Sequence, residues 1–138
     1  MAAKICKGGL YNYFNAKLTG ATGPTPFTVR LFKNNHTPSV DDTVADYTEA
    51  TFGGYAGQLL GTMGTITWDN TLKIWWVQWD PLTFAGDGTG GTDTIYGYYI
   101  TGNDGSLLSA VKRDAGTISM GAAGSYYNVI PKLTEGNP

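Results

Sequence analysis

From Phe27 onward the chain is cut into short β-patterned runs by glycine, proline and Asx turns, and no segment keeps the 3.6-residue periodicity of a core helix. Phe27-Thr28-Val29-Arg30-Leu31-Phe32-Lys33 puts Phe27, Val29 and Leu31 on one face and Thr28, Arg30 and Phe32 on the other. Gly23-Pro24-Thr25-Pro26 makes a stiff lead-in loop. Thr37-Pro38 stops the strand beyond Lys33, because proline has no N–H for a ladder. Residues 10–18 (LYNYFNAKL) read either as a first strand or as an arm.

Two hairpins follow. Thr65-Ile66-Thr67-Trp68 turns through Asp69-Asn70 into residues 72–79 (LKIWWVQW), with Asx residues tolerating the positive φ of a tight turn. In the returning strand Trp75, Val77 and Trp79 share a face and Ile74, Trp76 and Gln78 the other. With both faces apolar, a central strand covered on each side is expected. Residues 95–100 (IYGYYI) meet Asn103-Asp104-Gly105 and return as residues 107–111 (LLSAV), the strongest local hairpin signal in the chain. Tyr126-Tyr127-Asn128-Val129-Ile130 makes a last strand stopped by Pro131, and residues 134–138 read as a tail. One helical turn is expected, at Asp46-Tyr47-Thr48-Glu49, with Asp46 as N-cap, Glu49 three residues on and Gly53-Gly54 ending it. The expected fold is therefore all-β, a single domain over residues 1–138. It is a β-sandwich or jelly-roll-like barrel of about seven to eight short antiparallel strands, with residues 1–20 an arm or first strand.

Charge narrows the partners. Charged residues make up 14% of the chain, against roughly a quarter in a typical soluble domain, while aromatics reach 13%. Such a surface is either buried against other subunits or a polar, threonine-rich β-surface. Nine scattered Lys and Arg with a net charge of −2 do not build the basic patch that nucleic acid requires. The adjacent pair Lys112-Arg113 reads as a solvated strand end. No apolar run reaches the roughly 18 residues of a membrane span, and MAAKICKGGLYNYF lacks the apolar core of a signal peptide, so neither membrane nor secretory signal is expected. A single cysteine, Cys6, excludes an intrachain disulfide and a cysteine metal cluster. It reads as a small buried or half-buried side chain, or as an interchain bridge, and folding in bacterial cytoplasm is compatible with it.

No residue set assembles into a catalytic constellation. His36 is the one histidine, beside Asn35 and Thr37 in a turn, and it reads as an exposed turn residue; no Gly-x-Ser-x-Gly is present. Asp41, Asp42, Asp46 and Glu49 offer oxygen ligands but no EF-hand spacing. The loop of residues 85–93 (AGDGTGGTD) faintly resembles a calcium or phosphate loop. It lacks the Lys-Ser or Lys-Thr of a P-loop, and it reads as a mobile glycine turn. Glu49 and Glu135 are the only glutamates, with nothing to set either opposite an aspartate across a cleft. No catalytic residue, metal ligand or cofactor is assigned, and an enzyme is not expected. Trp68, Trp75, Trp76 and Trp79 crowd one hairpin. They divide among core packing, interface anchoring and stacking on sugar rings, the last making a carbohydrate-binding module the rival reading.

Several segments carry a resemblance. They are Leu31-Phe32-Lys33-Asn34-Asn35 with Thr37-Pro38, Asp46-Tyr47-Thr48-Glu49-Ala50-Thr51-Phe52 with Gly54-Tyr55-Ala56, residues 95–101 (IYGYYIT), and Gly105-Ser106-Leu107-Leu108. Together they resemble small structural proteins of tailed-bacteriophage virions, of the capsid decoration (cement) class. Residues 10–23 and the Trp75-Trp76 pair match nothing in that pattern. The resemblance implies a non-enzymatic protein made in the bacterial host cytoplasm and carried on the virion capsid surface. It also implies homotrimers bridging neighbouring copies of the major capsid protein. Leu10, Tyr11, Tyr13 and Phe14 of an N-terminal arm, with Trp75, Trp76 and Trp79, would then be interface anchors. The alternative is a tail-tip or fibre-associated module that binds carbohydrate or a receptor.

Overall fold

The alternation at residues 27–33 folds as drawn. Phe27, Val29 and Leu31 are buried together, while Thr28 and Arg30 lie on the opposite, partly open face. The computed structural model describes Asn15, Leu18 and residues 26–136. Its strands are β1 (Thr28–Phe32), β2 (Gln58–Leu59), β3 (Thr67–Asp69), β4 (Ile74–Gln78), β5 (Leu82–Ala85), β6 (Asp93–Ile95), β7 (Gly97–Thr101), β8 (Leu107–Lys112), β9 (Ile118–Met120), β10 (Tyr126–Val129) and β11 (Lys132–Gly136). Every pairing is antiparallel. The sheets run β2-β1-β7-β8, β11-β4-β3, β10-β5 and β6-β9, giving an all-β, sandwich-like architecture.

The main core is filled from all four sheets: Val29 and Leu31 from β1, Ile100 from β7, Val77 from β4, Phe84 from β5, Met120 from β9. Each such side chain contributes about 1.5–3 kcal/mol on burial. Phe32 points to the opposite face of β1 and seeds a smaller cluster with Tyr47 and Tyr99. The Phe32 and Tyr47 rings meet edge-on at 5.0 Å, and Tyr47 stacks on Tyr99 at 5.2 Å. The strand buried on both faces is therefore β7, every residue of which is buried, rather than β4. β4 is central by pairing, between β11 and β3, but its second face, with Ile74 and Trp76, is only half-covered and Gln78 is exposed.

Other expectations shift for identifiable reasons. The run 95–100 divides into β6 and β7, which join different sheets. A Cβ on Gly97 would run into the Val111 carbonyl, so β8 approaches there as only glycine permits. The Asp69-Asn70 turn is longer than a two-residue loop: register resumes at Asp69 opposite Ile74. Asp69 Oδ1 accepts the N–H groups of Thr71 and Leu72, and Lys73 takes φ 57°. The helical turn is a 3₁₀ turn, Val44–Asp46, with Thr43 rather than Asp46 at the N-cap. Asp46 serves from the third position, its Oδ2 accepting the Thr43 N–H at 2.8 Å, and Glu49 is free for other work. Beyond Pro131 the chain re-enters a sheet as β11, so residues 134–136 of the expected tail pair with Trp76, Trp75 and Ile74. Asn15 and Leu18 have helical backbone rather than extended, and Leu18 is buried in the main core. The rest of the expected arm or first strand lies outside the described residues, as does Cys6.

Candidate functional site

The segment carrying most of the resemblance becomes a brace along the outer edge of β1. That edge pairs with β2 at Thr28 and Val29. Further along, the Leu31 carbonyl accepts the Ala50 N–H and the Lys33 N–H reaches the Thr48 carbonyl. Between these stretches the Leu31 N–H goes to the Tyr55 hydroxyl at 3.2 Å, and that hydroxyl donates to Glu49 Oε2 at 2.7 Å. Glu49 Oε2 also takes Arg30 Nη1 at 2.9 Å, while Arg30 Nε donates to Thr101 Oγ1. Asn34 donates to the Asp46 carbonyl and accepts the Thr48 N–H. Lys33 bonds Thr51 and pairs with Asp93, whose Oδ2 accepts the Thr51 N–H. Burial, followed by the Glu49 carboxylate, pushes the Tyr55 phenol far above its ordinary value. Tyr55 is thereby held neutral as a donor.

His36 is not the exposed turn residue expected. Its ring meets Tyr47 edge-on at 5.1 Å, and Nε2 lies 2.8 Å from Asp42 Oδ2. The same oxygen accepts the Tyr47 hydroxyl at 2.6 Å and the Ser39 N–H at 2.9 Å. These bonds, the tyrosine's above all, hold the Asp42 carboxyl below the usual carboxylate range. The arrangement closes the loop 36–42 on one carboxylate and brings no nucleophilic hydroxyl to His36 among the described bonds. The other acidic side chains do not converge on a shared point: Asp46 caps, Glu49 braces, and among the described residues no three His, Cys, Asp or Glu side chains gather as metal ligands.

The glycine loop is tied down along its length rather than loose. Gly86 and Gly88 donate to the Ser125 and Gly121 carbonyls, and Gly53 exchanges bonds with Asp87 and Gly91. A Cβ on Gly90 would stand 2.8 Å from Gly53 Cα, so backbone lies directly on backbone. Asp87 Oδ1 is occupied by Thr89 N–H and hydroxyl, which gives the loop a turn role and no phosphate cradle.

The tryptophans separate by depth. Trp79 is 6% exposed and belongs to the main core, so it has almost no surface to offer as an interface anchor. Trp75 packs on the edge of that core and meets Trp68 at 5.2 Å. Trp76 lies on the second face of β4, half-buried, with Lys132 Nζ 4.8 Å from its ring centroid. The other proposed anchors, Leu10, Tyr11, Tyr13 and Phe14, lie outside the described residues. Lys112 and Arg113 are both partly buried: Lys112 donates to Asn35 Oδ1, and Arg113 donates to the Gly116 carbonyl and sits over the Tyr127 ring.

One feature escaped the sequence reading. Two hollows flank β8, one of about 340 Å³ against Pro38, Val40 and Tyr47, the other of about 550 Å³ against Tyr98, Leu133 and Thr134. Its signal was the uncharged run Leu107-Leu108-Ser109-Ala110-Val111. Comparison of the chain with protein-family models, with curated proteins and with solved structures gives no significant match.

Proposed function

We propose that this chain is a non-enzymatic structural protein of a tailed-bacteriophage virion, a capsid decoration protein that binds the outside of the head as an oligomer and stiffens the shell. The observation that carries this reading is the use the fold makes of the residues behind the resemblance. Lys33 bonds the Thr51 hydroxyl, Asn34 the Asp46 carbonyl, Tyr55 the Leu31 N–H and Glu49, and Glu49 also holds Arg30. A signature spent on bracing a scaffold suits a protein that acts by shape and contact rather than by turnover. Each copy then needs only a modest interface with the major capsid protein, because repetition over a shell multiplies weak contacts.

The rival, a tail-associated carbohydrate-binding module, rests on Trp76, the tryptophan on the outer face of β4. Lys132 occupies one face of that ring, which is the kind of surface a sugar would need. The test mixes purified protein with heads lacking it and images them by electron microscopy, with heat resistance measured alongside. Regular knobs on the shell and a raised disruption temperature are the expected result. Bare heads, together with glycan binding lost in Trp76→Ala, would overturn the proposal in favour of the rival.

A further inference from the structure

We propose that β8 is a seam through which two copies of this chain pair edge to edge, antiparallel, about a two-fold axis. The inference deepens the proposed function, on which its setting in a shell rests, by naming how copies meet: as two-fold pairs, in place of the homotrimers that the resemblance implies. Outer strands of sheets are normally guarded by shortness or charge. β2 has two residues, β3 has three and ends in Asp69, and β11 carries Lys132 and Glu135. β8 has six residues and no charge before its last, Lys112, and no described strand pairs with its outer side.

Its backbone is presented in register. The Arg113 N–H bonds to the Tyr96 carbonyl, so in antiparallel alternation Val111 turns its backbone groups toward β7, whereas Ala110 and Lys112 turn theirs outward. An added strand would send successive side chains to opposite faces, and β8 has a hollow on each. Leu107 and Tyr47 border one, with Val40 fully exposed at its rim; Leu108 and the exposed Val111 border the other. Free backbone edge plus alternating hollows is the arrangement by which sheets accept a further strand.

The charge pattern selects the occupant. Asp104 stands in the turn before β8 and Lys112 at its far end. Antiparallel pairing of two copies sets the Asp104 end of each beside the Lys112 end of the other, whereas parallel pairing sets like beside like. The second copy also supplies its own Leu107, Leu108 and Val111 to the hollows. The product is one continuous sheet made from the two four-stranded sheets, and it closes at two copies.

Sedimentation velocity of the full chain over a concentration series tests this. The expected result is a monomer–dimer equilibrium that Val111→Lys weakens by roughly tenfold or more, since it carries a charge into the apolar hollow that the seam would bury. Asp104→Lys should weaken it too, and Asp104→Lys with Lys112→Asp should restore it. Leu59→Lys, on the β2 edge, should leave it unchanged, and circular dichroism confirms that each variant folds. A monomer at all concentrations, a trimer, or a dimer indifferent to Val111→Lys would each overturn the seam. Head binding is scored separately. A monomer that still decorates heads sinks the seam and spares the proposed function; a β8-dependent dimer that ignores heads does the reverse.

Discussion

Tyr55→Phe isolates a single bond in the brace along β1. The ring would keep its packing, edge-on to Phe52 at 5.3 Å and stacked on Phe84 at 6.0 Å, so only the hydroxyl is lost. Two groups lose a partner. The Leu31 N–H belongs to a residue with no exposed surface, and this hydroxyl is its acceptor where β1 passes from β2 to the 48–50 segment. Glu49 loses one of its donors but keeps Arg30. Stranding a buried backbone donor costs about 1–3 kcal/mol. The bond to Glu49 adds less than a fully buried charged bond would, because that carboxylate is about one-third exposed. The expected destabilisation is about 2–3 kcal/mol, or roughly 6–12 °C in Tm for a chain of this size. Urea unfolding followed by tryptophan fluorescence should show a lowered midpoint at unchanged slope. Tyr126→Phe, at a residue 62% exposed, serves as the control. A Tyr55→Phe midpoint within about 0.5 kcal/mol of the parent would refute the reasoning, since Leu31 would then have another acceptor.

Burial also holds the phenols of Tyr47, Tyr98, Tyr99 and Tyr127 above their ordinary value, Tyr99 to about 12. The folded chain therefore keeps protons that the unfolded chain releases above about pH 10. Stability should be flat from neutral pH up to that point and fall above it, by up to about 1.4 kcal/mol per pH unit for each such tyrosine; a urea midpoint unchanged up to about pH 11 would contradict this. Gly90→Ala should cost about 1–3 kcal/mol by overpacking against Gly53 and open residues 86–91 to protease. Gly91→Ala, with no atom within 4 Å of its added Cβ, should do neither, and equal behaviour of the two would remove the close-approach argument. Trp79→Ala should cost about 3–5 kcal/mol and Trp76→Ala clearly less; thermal melts showing the reverse order would mean that the two depths are misassigned.

Local pattern made much of this fold legible. The alternation at residues 27–33 and the Asn103-Asp104-Gly105 turn determined β1, β8 and the faces they bury, because strand period and turn stereochemistry act within a few residues. The same logic placed a short helical turn near Asp46, but not its cap, since Thr43 and Asp46 were equally eligible by type. The glycine loop shows the other side. Gly-Thr-Gly-Gly looks mobile in sequence, and its purpose becomes visible only when Gly53 and Gly121 arrive from distant parts of the chain.

By itself, the sequence determined an all-β chain of short antiparallel strands, poor in charge. The tertiary structure alone decided which residues share a surface. It sent Trp79 inward and Trp76 outward, turned Arg30, Glu49 and Tyr55 into one brace, and left β8 with no described strand on its outer side. The physical reason is one of range. Side-chain alternation fixes which face a residue occupies, whereas sheet order and register, set by contacts between remote segments, fix what lies against that face.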